Sequence, residues 1–189
     1  MWKNAKRWWG DYDIFYLQYF VQGLLGAFLL TTQLYYLFEV LGKGKEFSTS
    51  TAGMYLGLVW LPWAVFKLLI SPIFDKWAAR QASSNLAVRC FYWIAVATIV
   101  MAAGLVSITQ SDTVDAMMWS AFVINFARAI QDIATDALCV YLLPKAKRAA
   151  MQWSSSLVSD VGAVIGGAGF IALIAVFGWV ELILVLTLV

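Results

Sequence analysis

The sequence predicts an all-α membrane protein whose hydrophobic helices cross the bilayer several times. Of its 189 residues, 62% are hydrophobic and only 13% are charged, whereas soluble domains are close to half apolar and a quarter charged. The mean hydropathy is +0.78, and the apolar residues form segments of about 20 residues or more between short polar loops. The length suits one polytopic domain of about six spans.

We expect five full transmembrane helices and a partial sixth. The five full spans cover residues 14–41, 51–74, 86–108, 116–143 and 149–177. Residues 180–189 are apolar but too short to cross, so we expect them to begin a sixth span in which the chain stops. Residues 1–13 are basic and rich in tryptophan, which is typical of an anchor at the membrane interface.

Local signals support these spans. Ser48, Thr49 and Ser50 offer N-caps for the second helix. Pro62 lies inside that helix and should kink or loosen it, because proline lacks the N–H that the helix needs. Gly178-Trp179 predicts the turn that follows the fifth span.

Basic residues predict the orientation of the chain. If the spans are correct, one side of the membrane carries nine basic residues: Lys3, Lys6, Arg7, Lys76, Arg80, Arg89, Lys145, Lys147 and Arg148. The other side carries Lys43 and Lys45 with the acids Glu46, Asp112 and Asp115. Cytoplasmic loops are enriched in lysine and arginine. We therefore expect an integral protein of the inner or plasma membrane, or of an equivalent organelle membrane, with its N-terminus in the cytoplasm.

The fourth span contains a polar seam. Arg128, Asp132 and Asp136 are spaced i, i+4 and i+8, so they share one helix face, and Asn125 extends that face by one turn. Charges in hydrocarbon are unfavourable, so they should face the bundle interior, a wet cavity or each other. Two interpretations remain open. Arg128 satisfied by Asp132 would be a structural cluster that fixes helix packing, whereas a cavity lining would serve a polar substrate or a coupling proton.

Three further polar residues in other spans are candidates for the same pathway. Asp160 in the fifth span could join the seam, or could pair with Lys67 of the second span. Lys67 lies near the predicted cytoplasmic end, so it could instead extend its ammonium towards the interface. Gln22 in the first span is either a cavity residue or a hydrogen-bonding contact between helices.

Glycines in the fifth span predict close helix packing. Gly162, Gly166 and Gly167 lie on a small-residue face of the kind that lets another helix approach closely.

Several classes of function are disfavoured. There is no histidine, and Cys90 and Cys139 are isolated, so no metal-ligand spacing is present and we expect reduced thiols. The sequence has no nucleophile with a positioned base and no phosphate-binding glycine loop. We expect no enzyme activity, no cofactor and no nucleic-acid partner, since the basic residues lie at span ends.

The end of the second span resembles a signature of the major facilitator superfamily. Ser71-Pro72-Ile73-Phe74-Asp75-Lys76-Trp77-Ala78-Ala79-Arg80 is similar to the family's loop between its second and third helices, Gly-x-x-x-Asp-Arg/Lys-x-Gly-Arg-Arg/Lys. Asp75, Lys76 and Arg80 match this pattern. By this resemblance they form a loop that latches the cytoplasmic gate.

A second motif resembles one branch of that superfamily. Gln131-Asp132-Ile133-Ala134-Thr135-Asp136-Ala137, followed by Leu142-Leu143-Pro144, is similar to the muropeptide permease (AmpG-type) and acetyl-coenzyme A transporter branch. Phe20-Val21-Gln22-Gly23 and Leu61-Pro62-Trp63 with Lys67 fit the same branch. Gln22 and Gln131 occur at similar depth in the first helix of each triplet of spans, and both are pathway candidates.

The resemblance implies the N-terminal half of a transporter. Spans one and four would line the central cavity, and spans one to three and four to six would be inverted repeats. We therefore expect a component of a secondary transporter for a polar or anionic metabolite, such as a muropeptide or an acyl-coenzyme A-like solute. Transport would be coupled to protons. Its partners would be membrane lipid and either a second transporter half or a second copy of the chain. The alternative is a transporter-derived, non-transporting subunit of a larger membrane complex.

Overall fold

The computed structural model describes residues 13–41, 49–79, 83–111 and 113–188, and these residues are almost entirely helical with no strand. Six helices run through these parts of the chain: α1 (13–41), α2 (49–79), α3 (Ser83–Thr109), α4 (Val114–Leu142), α5 (Lys145–Phe177) and α6 (Trp179–Leu188). The all-α prediction is confirmed. The predicted interfacial anchor at residues 1–13 lies outside the described residues, except for Asp13.

Four of these helices, α1, α2, α3 and α5, are long and apolar enough to cross a membrane. The predicted count of five full spans and a partial sixth is therefore not confirmed. The difference falls on α4, whose 29 residues include the polar seam. Asn125, Arg128, Gln131 and Asp132 interrupt the apolar sequence of this helix.

The same helix is at the centre of the bundle. Of the 29 residues of α4, 14 are buried, and α4 packs against α1, α2, α3 and α5. Its buried residues include Asn125 and Asp132, so these polar side chains face protein, as the cost of polar groups in hydrocarbon requires. The outer surface is apolar: Leu68, Ile99 and Val176 are each more than two-thirds exposed.

The other close helix pair is α1 with α5, and it is built on glycine. A Cβ atom on Gly23 would overlap the carbonyl oxygen of Ser159 on α5. A Cβ atom on Gly162 or Gly166 would overlap a backbone carbonyl of α1 in the same way. The two backbones are thus in direct contact, which only residues without a side chain permit.

Thr32 adds a hydrogen bond to this contact. The buried Oγ1 atom of Thr32 donates at 2.7 Å to the carbonyl oxygen of Gly166, and the carbonyl of Gly167 lies 3.0 Å away. Gly167 itself faces Thr31 of α1. All three glycines of the predicted small-residue face thus lie against α1.

Local chemistry sets the ends of α4, α5 and α6. The Thr113 side chain accepts a hydrogen bond from the backbone N–H of Ala116 and caps the start of α4. At the other end, Arg148 donates to the carbonyl oxygen of Leu143, at 3.0 Å, which satisfies an orphan group of the last turn. Gly178 joins α5 to α6 with a φ of 87°, a conformation that favours glycine.

Three of the helices contain π-helical turns. They occur at Phe28–Thr32 and Leu37–Leu41 in α1, at Pro62–Phe66 in α2, and at Ile165–Gly169 in α5. The turn in α2 begins at Pro62, where the missing N–H removes a helical hydrogen bond. Each π-turn admits an extra residue and changes which face the following side chains occupy.

Candidate functional site

A polar cavity of about 290 Å³ lies among α1, α2, α4 and α5. Its walls carry three carboxylates, two cations, several hydroxyls and two aromatic rings. The lining residues are Tyr19, Gln22, Trp63, Lys67, Arg128, Asp132, Asp136, Gln152, Ser155, Ser156, Ser159 and Asp160. The seam of α4 therefore faces a cavity, and residues of three other helices complete it.

An ion cluster links α2, α4 and α1 at this cavity. The Lys67 ammonium forms an ion pair with Asp132, whose side chain is only 4% exposed. The same ammonium lies 3.9 Å from Asp136, whose side chain is about half exposed. The Tyr19 hydroxyl donates a hydrogen bond to Asp136. One cation therefore serves two carboxylates.

Arg128 lies apart from that cluster. Its Nε donates at 2.9 Å to the backbone carbonyl of Gln22, and its Nη1 donates at 3.0 Å to Oδ1 of Asn125. Gly26 makes room for it, because a Cβ atom there would lie 2.7 Å from Arg128 Nη2. Among the described residues no carboxylate lies within ion-pair distance of this guanidinium.

Trp63 lies beside both cations of the cavity. Its ring centroid is 4.5 Å from Lys67 Nζ and 4.4 Å from Arg128 Cζ. Cations at this range from an indole face are stabilised by the ring quadrupole. The ring therefore offsets part of the free-energy cost of removing the Lys67 and Arg128 charges from water.

This geometry decides between interpretations that the sequence left open. Arg128 does not pair with Asp132, although the i, i+4 spacing allows it. Its guanidinium extends to α1, because the missing side chain at Gly26 opens a path to the Gln22 carbonyl. Lys67 extends to the seam rather than to the interface, and its carboxylate partners are Asp132 and Asp136, not Asp160.

Two polar groups on the cavity wall have no partner among the described residues. Gln22 is 3% exposed, and its amide Nε2 makes no hydrogen bond. Asp160 is exposed to the cavity and has no ion pair within the described parts of the chain. A buried donor without an acceptor is unfavourable, so the Gln22 amide in particular points to a missing oxygen atom.

Two other predicted pathway residues lie in the packed interior instead. Asn125 donates its Nδ2 to the carbonyl oxygen of Val59, one turn before the π-turn of α2. Gln131 donates its Nε2 at 3.0 Å to the hydroxyl of Thr98 on α3. Neither residue lines the cavity, so both join helices to one another.

The predicted gate loop is only partly described. Lys76 is exposed in the last turn of α2. Arg80 and the side chain of Asp75 lie outside the described residues.

The serine-rich wall of the cavity is not among the candidate residues predicted from the sequence. Gln152, Ser155, Ser156 and Ser159 precede Asp160 on α5. Their spacing of i, i+3, i+4, i+7 and i+8 is the pattern of one helix face, so a search for polar periodicity in the fifth span would have found them. Tyr19 shares such a face with Gln22, at i and i+3.

The cavity can bind charged and hydrogen-bonding groups. Three carboxylates against two cations leave one excess negative charge, which a proton or another cation neutralises. The unpartnered amide of Gln22 and the unused N–H groups of Arg128 are donors for a ligand oxygen. No group of three or more metal-binding side chains occurs among the described residues.

No protein-family model matches the chain, and no solved structure matches it at a significant level.

Proposed function

We propose that this chain is a component of a secondary membrane transporter for a polar or anionic metabolite. The single observation that carries this proposal is that the charges of α4 line one polar cavity together with the charges of neighbouring helices. Ionisable residues within membrane helices are typical of substrate and ion pathways. The four apolar helices support a location in the membrane.

The helix contacts also favour the architecture of a major facilitator half, with α4 as a fifth full span and α6 as part of a sixth. In an inverted repeat, α1, α2 and α3 correspond to α4, α5 and α6. Under this equivalence, the pair α1–α5 is matched by the pair α4–α2. The pair α3–α4 is matched by the pair α6–α1. Contacts between all four pairs are present, the last through stacking of Trp179 on Phe28 and Tyr36. Further helices, whatever their source, would close the open side of the cavity.

Asp132 and Asp136 are the groups that we propose to carry a coupling proton. Lys67 faces both of them and cannot fully compensate two ionised carboxylates. Protonation of one acid would remove the excess charge and release Lys67 to the other. Such a change of partner is a natural link between proton binding and helix movement.

The alternative is a non-transporting subunit of a membrane complex, in which the same residues serve as polar glue. The observation that favours it is that Lys67, Tyr19 and Arg128 each bond across to a different helix. Interhelical polar contacts of this kind stabilise membrane bundles on their own.

Two-sided labelling of a cavity cysteine separates the two functions. Cys90 and Cys139 are first replaced by alanine, and Ser156, on the exposed cavity wall, is replaced by cysteine. The chain with its native partners is then treated in right-side-out and inverted vesicles with a membrane-impermeant maleimide. A transporter cavity opens to each side of the membrane in turn, so we expect residue 156 to be labelled from both sides. A proton gradient should change the fraction of labelling that occurs from each side.

Control positions calibrate the labelling. Asp115→Cys, in the first turn of α4, and Lys145→Cys, at the start of α5, lie at opposite ends of the bundle and should each react from one side only. Labelling of Ser156→Cys from a single side, or from neither, would contradict the transport proposal and favour the structural subunit.

A further inference from the structure

The charges of the cavity do not cancel in pairs, and the remainder has a definite arrangement. Lys67 is held by Asp132 and Asp136 of α4, and Asp136 also receives the Tyr19 hydroxyl. After these contacts, one cation and one anion remain without a partner of opposite charge among the described residues. They are Arg128 and Asp160.

The Arg128 side of the cavity offers hydrogen-bond donors of the kind that an oxygen anion accepts. Its Nε and Nη1 are used by the Gln22 carbonyl and by Asn125, and the guanidinium has further N–H groups. The buried amide of Gln22 adds an unpartnered donor on the same residue whose carbonyl holds Arg128. A guanidinium and an amide donor together suit a carboxylate, which accepts two or more hydrogen bonds.

Asp160 on α5 and Arg128 on α4 are brought to the same cavity by their contacts with neighbouring residues of α1. Gly23, the residue after Gln22, is in backbone contact with Ser159, the residue before Asp160. Arg128 therefore contacts α1 at Gln22, and α5 contacts α1 one residue further along. A carboxylate at this position suits an ammonium group.

We propose that the cavity binds a small zwitterion of the size of an α-amino acid, with its carboxylate at Arg128 and Gln22 and its ammonium at Asp160. This inference rests on the proposed function, because the zwitterion would be the transported solute. The volume of about 290 Å³ is at the lower end of ligand pockets, which run from roughly 300 to 1,000 Å³. This volume accommodates an α-amino acid.

Three related probes test the two charged ends separately. L-Alanine carries both charges, N-acetyl-L-alanine keeps the carboxylate alone, and L-alaninamide keeps the ammonium alone. Binding to the full chain in lipid nanodiscs is followed by tryptophan fluorescence, to which Trp63 on the cavity wall contributes. We expect L-alanine to bind at least about tenfold more tightly than either capped probe, which is about 1.4 kcal/mol.

Variants assign each preference to its residue. Asp160→Asn should remove the advantage of L-alanine over N-acetyl-L-alanine and leave its advantage over L-alaninamide. Gln22→Leu should weaken L-alanine and N-acetyl-L-alanine together. Asp115→Asn, an acid of α4 outside this cavity, is the matched control and should leave all three affinities unchanged.

Equal binding of the three probes, binding of none, or an unchanged pattern in Asp160→Asn would overturn the inference. These results are separate from those of the labelling experiment, which needs no ligand. Two-sided access without L-alanine binding would refute the zwitterion alone. L-Alanine binding without two-sided access would refute transport and leave a binding site.

Discussion

The bundle holds its helices together in two different ways. At the contact of α1 with α5, glycines bring the two backbones together and leave no space. At the contact of α2 with α4, the long side chain of Lys67 forms an ion pair with Asp132, and both side chains line the cavity. The first interface stabilises by close packing, whereas the second uses charges that are costly to bury.

The difference indicates what each interface is for. A buried ion pair is weak support for stability, because apolar residues of similar volume often do as well or better. The glycine contact is consistent with a rigid pair of helices. The charged contact places Lys67 at the cavity with its side chain 30% exposed and keeps Asp132 almost fully buried. We therefore propose that α1 with α5 is the fixed part of the fold and that α2 with α4 carries the charges that change partner.

Breaking the ion pair should have the largest effect on stability. Lys67→Met leaves Asp132, which is 4% exposed, without its partner. We expect the free energy of unfolding to fall by about 3–5 kcal/mol, the usual loss when one member of a buried pair is removed. Unfolding in mixed micelles measures this.

Lys76→Met is the control for that change. Lys76 is on the same helix but is exposed in its last turn, so its replacement should change stability by no more than about 0.5 kcal/mol. Equal losses for the two variants would mean that the Lys67–Asp132 contact contributes nothing specific.

Closing the glycine contact should have a smaller but clear effect. In Gly166→Ala the new Cβ overlaps the carbonyl oxygen of Leu24, and that backbone cannot move aside as a flexible side chain would. We expect a loss of about 1–3 kcal/mol, as for other overpacked sites. In Gly57→Ala on α2 the same atom meets nothing within 4 Å. If both variants unfold alike, the close packing of α1 with α5 is not the stabilising feature.

The sequence predicted the helices and the polar face better than the partners of each charge. Hydrophobic segments and the turn at Gly178 are local signals, and the i, i+4, i+8 spacing of the seam is a property of one helix. Asp132 forms its ion pair with Lys67 rather than with Arg128, and this pairing depends on the position of a second helix, α2. In α2 the π-turn beginning at Pro62 adds a residue, which rotates the following side chains by about 100°. Periodicity along the sequence does not reveal that rotation.

The position of the Arg128 side chain could not be predicted from the sequence for a related reason. Its path to the Gln22 carbonyl exists because Gly26, on another helix, lacks a side chain. A glycine in an apolar span is an ordinary packing residue in sequence terms. Only the pairing of α1 with α4 shows which side chain it accommodates.

The most direct test of the account is the double variant Lys67→Met/Asp132→Leu, combined with cysteine at Ser156. Replacing both charges should restore the stability that Lys67→Met loses, to within about 1 kcal/mol of the parent protein, because the buried Asp132 carboxylate that Lys67→Met leaves unpaired is also removed. We predict that this folded protein is labelled at residue 156 from one side only, since the groups that change partner are gone. A double variant that unfolds as readily as the single one, or that is still labelled from both sides, would contradict the account.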